Sequence, residues 1–467
     1  MELYLLVHYI FIIYILCVVL LTKSRVNEWI TLFISAFDSI PIVYFGNSAS
    51  GGIFISDIIL LILLTKFCFK KQKYLSNINK KMFIFSFIFG IWIVGSSLFS
   101  IIKPIPIHTV YTSDSYINFT LYGLIRLISY LLYLFLFLNN TFNKEQVEEL
   151  LKKLFVCMNI FCFLLLLNQM SIIDFSGISS LGNRIEHSIQ VINKDFSSDV
   201  FLGTNKPNLG AICYTIFWLD IFLILRVKKI NIIYIISLFL VALTLIGTDS
   251  RSDLIGLCTS LPVFLFFTTK KTRIYLVRSI IILTYISVIL MLLALLFEIP
   301  LFGENFNYYI GSIINLQVGV GSGGYRILLY ESILDFLSNH PLELVIGLGP
   351  NCFRMLYGFK NITTNFGHNT YLHNLVELGL IGVSLIILLF SKLLWLIRNN
   401  IKKYGNDKRL SFACILSYFI GRMSTGISVD TFLAIDTMLS TNIMLFGFIA
   451  VVYISSVKDR IGIVNNH

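Results

Sequence analysis

The chain has 467 residues, of which 57% are hydrophobic and only 13% are charged, and its mean hydropathy is +0.83. This composition excludes a soluble globular protein, because water could not solvate so apolar a surface. The net charge of +11 does not indicate nucleic-acid binding, because most basic residues lie in short loops between long apolar segments. We therefore predict an all-α integral membrane protein that binds membrane lipids and no nucleic acid.

Apolar segments long enough to cross a membrane recur along the whole chain. A transmembrane helix needs roughly 20 such residues, and thirteen segments qualify. The second is interrupted by Asp38 and Pro41, so twelve crossings remain if it is re-entrant. The predicted spans are 3–22, 28–45, 53–69, 82–102, 117–138, 151–170, 207–226, 230–248, 252–269, 276–298, 369–396, 410–428 and 434–456.

The distribution of basic residues predicts which loops face the cytoplasm. Short loops at every second break between apolar segments hold 26 of the 36 Lys and Arg residues, which is the positive-inside pattern. The first segment runs from Leu3 to Leu21 and is followed by Lys23 and Arg25, which favours a retained span over a cleavable signal peptide. We expect a multi-pass protein whose C-terminus lies in the cytoplasm.

The spans form a single membrane domain over residues 1–467, with one long external loop at 299–368. Within this loop, Tyr325–Asn339 follows a glycine-rich hinge and ends before His340 and Pro341. Its helical spacing of Arg326, Tyr330, Ile333 and Leu337 predicts an amphipathic helix that lies on the outer membrane surface. A turn follows at Gly347–Pro350, and a second short amphipathic stretch follows at Cys352–Tyr357. Because long loops often carry function, we expect part of the site here.

The loop returns to the membrane at His368 and Asn369. Nine residues lie between Asn369 and the segment Gly379-Leu380-Ile381-Gly382. A helix that starts near Asn369 would hold His368 at the membrane surface, and Gly379 and Gly382 would let a neighbouring helix approach closely. This H-N-x9-G-x-x-G pattern resembles the O-antigen ligase family, which includes O-antigen and capsular polysaccharide polymerases.

Three further segments resemble elements of the same family. They are Asp249-Ser250-Arg251-Ser252 between two spans, Arg326 in the helix before His340, and Gly203–Asn208 at the outer start of another span. Together with the loop motif they cover roughly Gly203 to Gly382, and the first half of the chain matches only in hydropathy.

The resemblance implies a membrane glycosyltransferase of the GT-C-like kind that uses a lipid-pyrophosphate donor. Arg251 and Arg326 would bind the pyrophosphate, since guanidinium groups are permanently charged and match phosphate oxygens. His368 would act at the anomeric carbon, as a base or as an orienting group. No cofactor and no metal are expected, because no Asp-x-Asp motif occurs in the chain.

Several residues are candidates for supporting roles. They include Tyr330, Asn369 and Arg422, which lies inside an apolar span where it could help bind phosphate. His373 is either a buried hydrogen-bond partner or a second catalytic group. Arg126 also lies inside a span, and the candidate partners of Arg126 and Arg422 are Asp38, Asp57 and Asp220.

Simpler roles exist for the same residues outside the family pattern. An outer arginine often only contacts lipid headgroups, and an interfacial histidine is often only a helix cap. With the pattern, the favoured function is a polysaccharide polymerase that transfers undecaprenyl-pyrophosphate-linked glycan onto a lipid-linked repeat unit, with a chain-length regulator as a candidate partner. The alternatives are an O-antigen ligase that uses lipid A core and, from another class, a lipid-linked oligosaccharide flippase. The expected location is the bacterial inner membrane, with the site on its outer face.

Overall fold

The computed structural model describes residues 2–35, 37, 43–44, 52–69, 77–102, 113–138, 142–169, 172–173, 206–226, 232–248, 250–268, 274, 321–363, 367–404, 408–428, 433 and 439–458. These residues are almost entirely helical, apart from one antiparallel strand pair in which β1 (Val43–Tyr44) pairs with β2 (Gly52–Ile53). The all-α membrane fold is thereby confirmed. In chain order the helices are α1 (Glu2–Leu21), α2 (Arg25–Ser35), α3 (Ile55–Phe69), α4 (Asn77–Ile102), α5 (Ser113–Leu138), α6 (Lys144–Gln169), α7 (Lys206–Arg226), α8 (Ile232–Gly247), α9 (Arg251–Phe267), α10 (Gly321–Asn339), α11 (Pro341–Ile346), α12 (Thr370–Tyr404), α13 (Lys408–Thr425) and α14 (Leu439–Lys458).

Five of the described helices, namely α4, α5, α6, α7 and α12, are long and apolar enough to cross a membrane. Shorter apolar stretches lie in α1, α8, α9 and α14. Each predicted span falls on a helix except 276–298, which lies outside the described residues. The second predicted span differs most, because α2 has only 11 residues and ends at Ser35. At about 1.5 Å per residue it covers roughly half of the hydrocarbon core, so it does not cross alone.

Helix α7 lies at the centre of the protein, whereas α4 lies at its edge. In α7, 83% of the apolar window is buried inside the protein, compared with 28% in α4. The exposed side chains of α4, such as Phe87 and Ile91, are apolar and suited to contact with lipid.

Helices α9 and α13 approach each other through glycine. A methyl group added at Gly256 would lie 3.1 Å from the carbonyl oxygen of Gly421, and one added at Gly421 would lie 2.7 Å from that of Gly256. Apolar side chains pack as well against lipid as against each other, so close backbone contact is a principal source of helix association in membranes. This contact holds the first half of α9 against the last turns of α13.

The segment from α10 to the start of α12 has a small apolar core of its own. The predicted helix at Tyr325–Asn339 is confirmed as the main part of α10, and its buried face includes Leu329, Ile333 and Phe336. Pro341 occupies the first turn of α11, where its missing N–H has no consequence for the helix. The second predicted stretch forms a 3-10 turn at Phe353–Leu356. Because Phe119 of α5 also joins this core, the segment is anchored to the membrane helices.

Helix α12 is broken at Gly379, whose φ of 68° and ψ of −178° are not helical. Residues with a side chain essentially never adopt this conformation. A methyl group at Gly379 would also lie 2.3 Å from the carbonyl oxygen of Val345, and one at Gly347 would lie 2.3 Å from that of Glu377. The two glycines therefore let the end of α11 cross α12 in direct backbone contact. Gly382, one turn further on, faces Trp92 of α4.

Three carbonyl groups just before the break accept hydrogen bonds from outside α12. The donors are the N–H of Leu348 to Val376 at 2.8 Å, the N–H of Gly349 to Glu377 at 2.9 Å, and the indole N–H of Trp92 to Leu378 at 3.1 Å. A break in a helix exposes such carbonyls, and leaving them unpaired in a membrane protein would be costly. The turn after α11 thus supplies part of what the broken helix lacks.

Helix α4 holds the same turn from its other side. Ser96 Oγ donates to the carbonyl of Ile346 at 3.2 Å, and Ser100 Oγ donates to that of Leu348. A methyl group at Gly349, whose φ is 98°, would collide with Ser100 Oγ. The turn is therefore fixed between α4 and α12.

We expect Gly379→Ala to destabilise the protein strongly. The backbone conformation would contribute about 1–3 kcal/mol, and the collision with Val345 a further 1–3 kcal/mol or so. Thermal unfolding of the purified protein in detergent would measure this loss. Gly95→Ala in α4 is the matched control, because no atom lies within 4 Å of its added methyl group. Equal stability of the two variants would contradict this account of the break.

Candidate active site

His368 lies immediately before α12 and has a left-handed backbone conformation, with φ at 48°. This conformation costs a residue other than glycine about 1–2 kcal/mol. It persists where surrounding contacts hold it, and such residues cluster at functional sites. One holding contact is the hydroxyl of Tyr330, which donates to the carbonyl oxygen of His368 at 2.8 Å. The side chain of His368 is partly exposed.

Asn369 caps the N-terminus of α12. Its Oδ1 accepts the backbone N–H groups of Tyr371 at 3.0 Å and Leu372 at 3.1 Å, which are the second and third residues of the helix. An asparagine at this position satisfies donors that have no partner within the helix. The cap fixes where α12 begins, and so it keeps His368 outside the helix.

The start of α12 is joined to the end of α13. Asn369 Nδ2 donates to the carbonyl of Ile427 at 3.0 Å, and the N–H of Thr370 donates to that of Gly426 at 2.8 Å. Within the first turn of α12, the hydroxyl of Tyr371 donates to the carbonyl of Met423 at 2.7 Å. These carbonyls belong to the last turn of α13 or follow it directly, so α12 closes the open end of that helix.

The same end of α13 is joined to the start of α9 by a buried ion pair. Arg422 Nη1 lies 2.8 Å from Asp253 Oδ1, and each side chain is only 2% exposed. Asp253 also accepts a hydrogen bond from Ser250, the residue that precedes α9. A buried charge requires a partner of this kind. Arg422 therefore fixes the start of α9, where Arg251 is the first helical residue.

Arg326 lies on α10 one turn before Tyr330, on the same side of the helix. Its side chain is partly exposed, and no hydrogen bond or ion pair joins it to another of the described side chains. Because Tyr330 contacts His368, this face of α10 is directed toward the start of α12. Arg326 is thus a cation near His368 that the described contacts leave available for a ligand.

The structure therefore brings the predicted residues together at one group of helix ends. The backbones of Arg251, Arg326 and His368 are connected through Asp253, Arg422, Asn369 and Tyr330, although the side chain of Arg251 lies outside the described residues. Both α9 and α12 begin here, and the first three backbone N–H groups of α12 are already paired with the carbonyl of Gly426 and with Asn369 Oδ1. An anionic group beside the imidazole would therefore be bound by an arginine side chain such as that of Arg326, and not by the start of α12.

His373 is buried between Phe353 and Glu377. Its ring is stacked on that of Phe353 at 5.0 Å, and its Nε2 lies 3.2 Å from Glu377 Oε1. The sequence left open a buried partner or a second catalytic group, and the geometry favours the first.

Arg126 and Arg422, the two arginines predicted to lie inside apolar spans, each form an ion pair with an aspartate. Arg126 binds Asp57 at 2.6 Å, which confirms one of the partners named from the sequence. The partner of Arg422 is Asp253, so the prediction that it would be Asp38, Asp57 or Asp220 was wrong. Asp220 instead accepts a hydrogen bond from Ser237, and Asp38 lies outside the described residues. Asp253 could have been recognised because it lies near one end of its predicted span, as Arg422 does.

Sequence reasoning also missed Glu377 and Arg354, both of which are buried. Arg354 Nε donates to Asn351 Oδ1 at 3.2 Å, and its guanidinium lies 5.5 Å from the ring centre of Phe119. Their sequence positions gave little signal, because a charged residue in a polar loop or at a helix end is normally solvated. Within the described part of the chain, no three His, Cys, Asp or Glu side chains are grouped closely enough to hold a metal ion.

Comparison with known proteins identifies the family of this segment. Residues 236–387 match the family model described as O-antigen ligase. The resemblance to that family is thereby confirmed. The matched segment includes Arg251, Arg326, His368, Gly379 and Gly382, whereas Arg422 lies beyond it. The chain is thus a membrane protein with a domain of a glycan-transferring family. No curated protein matches the chain.

Removing one member of the buried ion pair should destabilise the contact between the start of α9 and the end of α13. We expect Arg422→Met to lower the free energy of unfolding by about 3–5 kcal/mol, because Asp253 would be left as a buried charge without this partner. The double variant Arg422→Met/Asp253→Asn should lose less than the sum of the two single losses. Thermal unfolding in detergent would measure these effects, with Arg398→Met on the exposed surface of α12 as the control. Additive losses would refute a coupled pair.

Proposed function

We propose that this protein is a polysaccharide polymerase that joins lipid-linked repeat units at a membrane surface. The donor is an undecaprenyl-pyrophosphate-linked glycan, and the acceptor is a second lipid-linked unit. The observation that carries the proposal is that two arginine-bearing helices, α9 through α13 and α10 through Tyr330, are both joined to the start of α12 at His368, and that α9, α10 and α12 all begin within the segment that matches the ligase family. The product would serve as capsule, exopolysaccharide or O-antigen.

In the proposed reaction, Arg251 and Arg326 bind the donor pyrophosphate. A guanidinium offers a planar fork of donors to phosphate oxygens. An acceptor hydroxyl attacks the anomeric carbon, its oxygen forms the new glycosidic bond, and the bond to phosphate breaks with its electrons passing to the pyrophosphate. The two arginines stabilise the negative charge that develops there. His368 accepts the hydroxyl proton as a neutral imidazole, and the displacement inverts the anomeric centre.

The polymerase is favoured over the ligase by the charge of the external segments. Between Leu301 and His368 the basic residues are few, whereas a ligase must meet a phosphorylated lipid A core. The ligase remains the second candidate, because the matching family model is described as O-antigen ligase. A flippase is the candidate from another class, and it would need neither Arg326 nor His368.

The positive-inside pattern supports a position in the bacterial inner membrane, with the site on the outer face. On this side of the membrane, lipid-linked units and a growing chain are both within reach of one site. A chain-length regulator is a further proposed partner.

Alanine at Arg251, Arg326 or His368 should lower the transfer rate by at least about 100-fold, because each variant removes a charge or proton acceptor that acts in the transition state. The rate would be measured with purified protein and undecaprenyl-pyrophosphate-linked repeat units. Arg398→Ala is the matched control, since it removes an exposed arginine at the other end of α12. Arg326→Lys should recover only part of the rate, because lysine keeps the charge but not the fork. An unchanged transfer rate in all three alanine variants would refute the proposed mechanism.

The three candidate functions give different products in one assay. A polymerase should give ladders of longer lipid-linked glycan from repeat units alone, and chelator should leave these ladders unchanged. A ligase should give product only after lipid A core is added. A flippase should move the lipid-linked unit across vesicle membranes without any acceptor and release no undecaprenyl pyrophosphate.

A further inference from the structure

Both ring nitrogens of His373 have protein partners. The backbone N–H of Gly367 donates to Nδ1 at 3.3 Å, and Nε2 lies 3.2 Å from Glu377 Oε1. A nitrogen that accepts an N–H cannot carry a proton, so Nδ1 is unprotonated and Nε2 holds the hydrogen that faces Glu377. The contacts thus assign one neutral tautomer to this imidazole.

Glu377 and Phe353 hold the imidazole of His373 in place. The same Oε1 of Glu377 accepts the backbone N–H of Phe353 at 3.2 Å, and the Phe353 ring stacks on the imidazole with only 12° between the planes. The carbonyl of Glu377 also accepts the N–H of Gly349. The imidazole therefore rests on the turn that crosses the break in α12, and it can neither rotate nor shift without losing these contacts.

The contact with Gly367 acts on the residue next to His368. His368 has a left-handed backbone, and its own carbonyl is held by Tyr330 on α10. Gly367 precedes it directly, and the Gly367 N–H is held by His373. The backbone of His368 is thus held on both sides, from α10 by Tyr330 and from within α12 by His373.

We infer that His373 is a positioning residue, which holds the backbone of Gly367 so that the imidazole of His368 faces the reacting group. The inference rests on the proposed function, because it assumes that His368 acts in transfer. His373 is not a second catalytic group itself, since it is only 4% exposed and both of its nitrogens are occupied by protein atoms.

Two substitutions separate the contacts of His373. In His373→Asn, the side-chain oxygen lies close to the former position of Nδ1 and can still accept the N–H of Gly367. In His373→Gln, the amide can reach the former position of Nε2 and contact Glu377, but the acceptor for Gly367 is lost. Both variants are neutral and similar in size, so they serve as controls for each other.

The test is steady-state transfer by the full-length protein with undecaprenyl-pyrophosphate-linked repeat units. We expect His373→Asn to keep most of the activity, and we expect His373→Gln to lose kcat by roughly 10- to 100-fold through misplacement of His368. The KM for the donor should stay unchanged in both, because neither Arg251 nor Arg326 is altered. Equal activity of the two variants, or a loss confined to KM, would overturn the inference.

The same experiment distinguishes failure of this inference from failure of the proposed function. If the His368→Ala variant is active, the proposed function is refuted. If His368→Ala is inactive but His373→Gln is fully active, only the positioning role of His373 is refuted. If His373→Gln does not fold, nitrogen-15 spectra of histidine-labelled wild-type protein provide the second measurement. The wild-type signals that are absent from the spectrum of His373→Asn are those of His373. We expect them to be the signals of an imidazole protonated at Nε2. Protonation at Nδ1 would contradict the contact with Gly367.

Discussion

The break in α12 at Gly379 is the constraint on which the rest of the structure depends. It opens the backbone of a long apolar helix at a point where polar groups must still be paired. The turn that follows α11 supplies two of the donors, and Trp92 of α4 supplies another. One local change of backbone direction therefore fastens the segment from α10 to α11 to the membrane helices and sets where the first part of α12 points.

The candidate site is built almost entirely from helix ends. A helix end carries unpaired backbone groups that must find partners, and here the open end of α13 is closed by the cap of α12. The Arg422–Asp253 pair adds the start of α9 to the same group. Polar contacts that stabilise the fold thus also determine how α9, α10 and α12 meet, so stability and site geometry have a common origin.

The backbone at His368 is unfavourable in isolation; Tyr330 holds its carbonyl group, and the buried His373 holds the N–H of the preceding residue, Gly367. Such a residue keeps its conformation only where its neighbours determine it. An imidazole that is already oriented loses little freedom when a substrate binds, which is a general requirement of catalysis by proton transfer. The contacts made by Tyr330 and His373 would therefore favour transfer, although neither side chain touches the substrate.

The sequence by itself determined the membrane class, nearly all helix positions and the family motif. It could do so because apolar length, helical period and the spacing of His368, Gly379 and Gly382 are local properties of the chain. It also identified Arg326 and Tyr330 as neighbours on one helix face. It marked the second span as uncertain, because Asp38 and Pro41 interrupt it, but it did not predict that α2 would end at Ser35.

Only the tertiary structure decided which ends of the helices meet. The partner of Arg422 is Asp253, 169 residues away along the chain, and no periodicity connects the two. The sequence suggested that Gly379 allows a neighbouring helix to pack closely, whereas the fold uses it to break α12 and admit the backbone near Gly347. In the same way, the role of His373 depends on Phe353 and Gly367, which only the folding of the segment before α12 brings next to it. Pairings of this kind arise from three-dimensional packing, and residue type and spacing alone do not specify them.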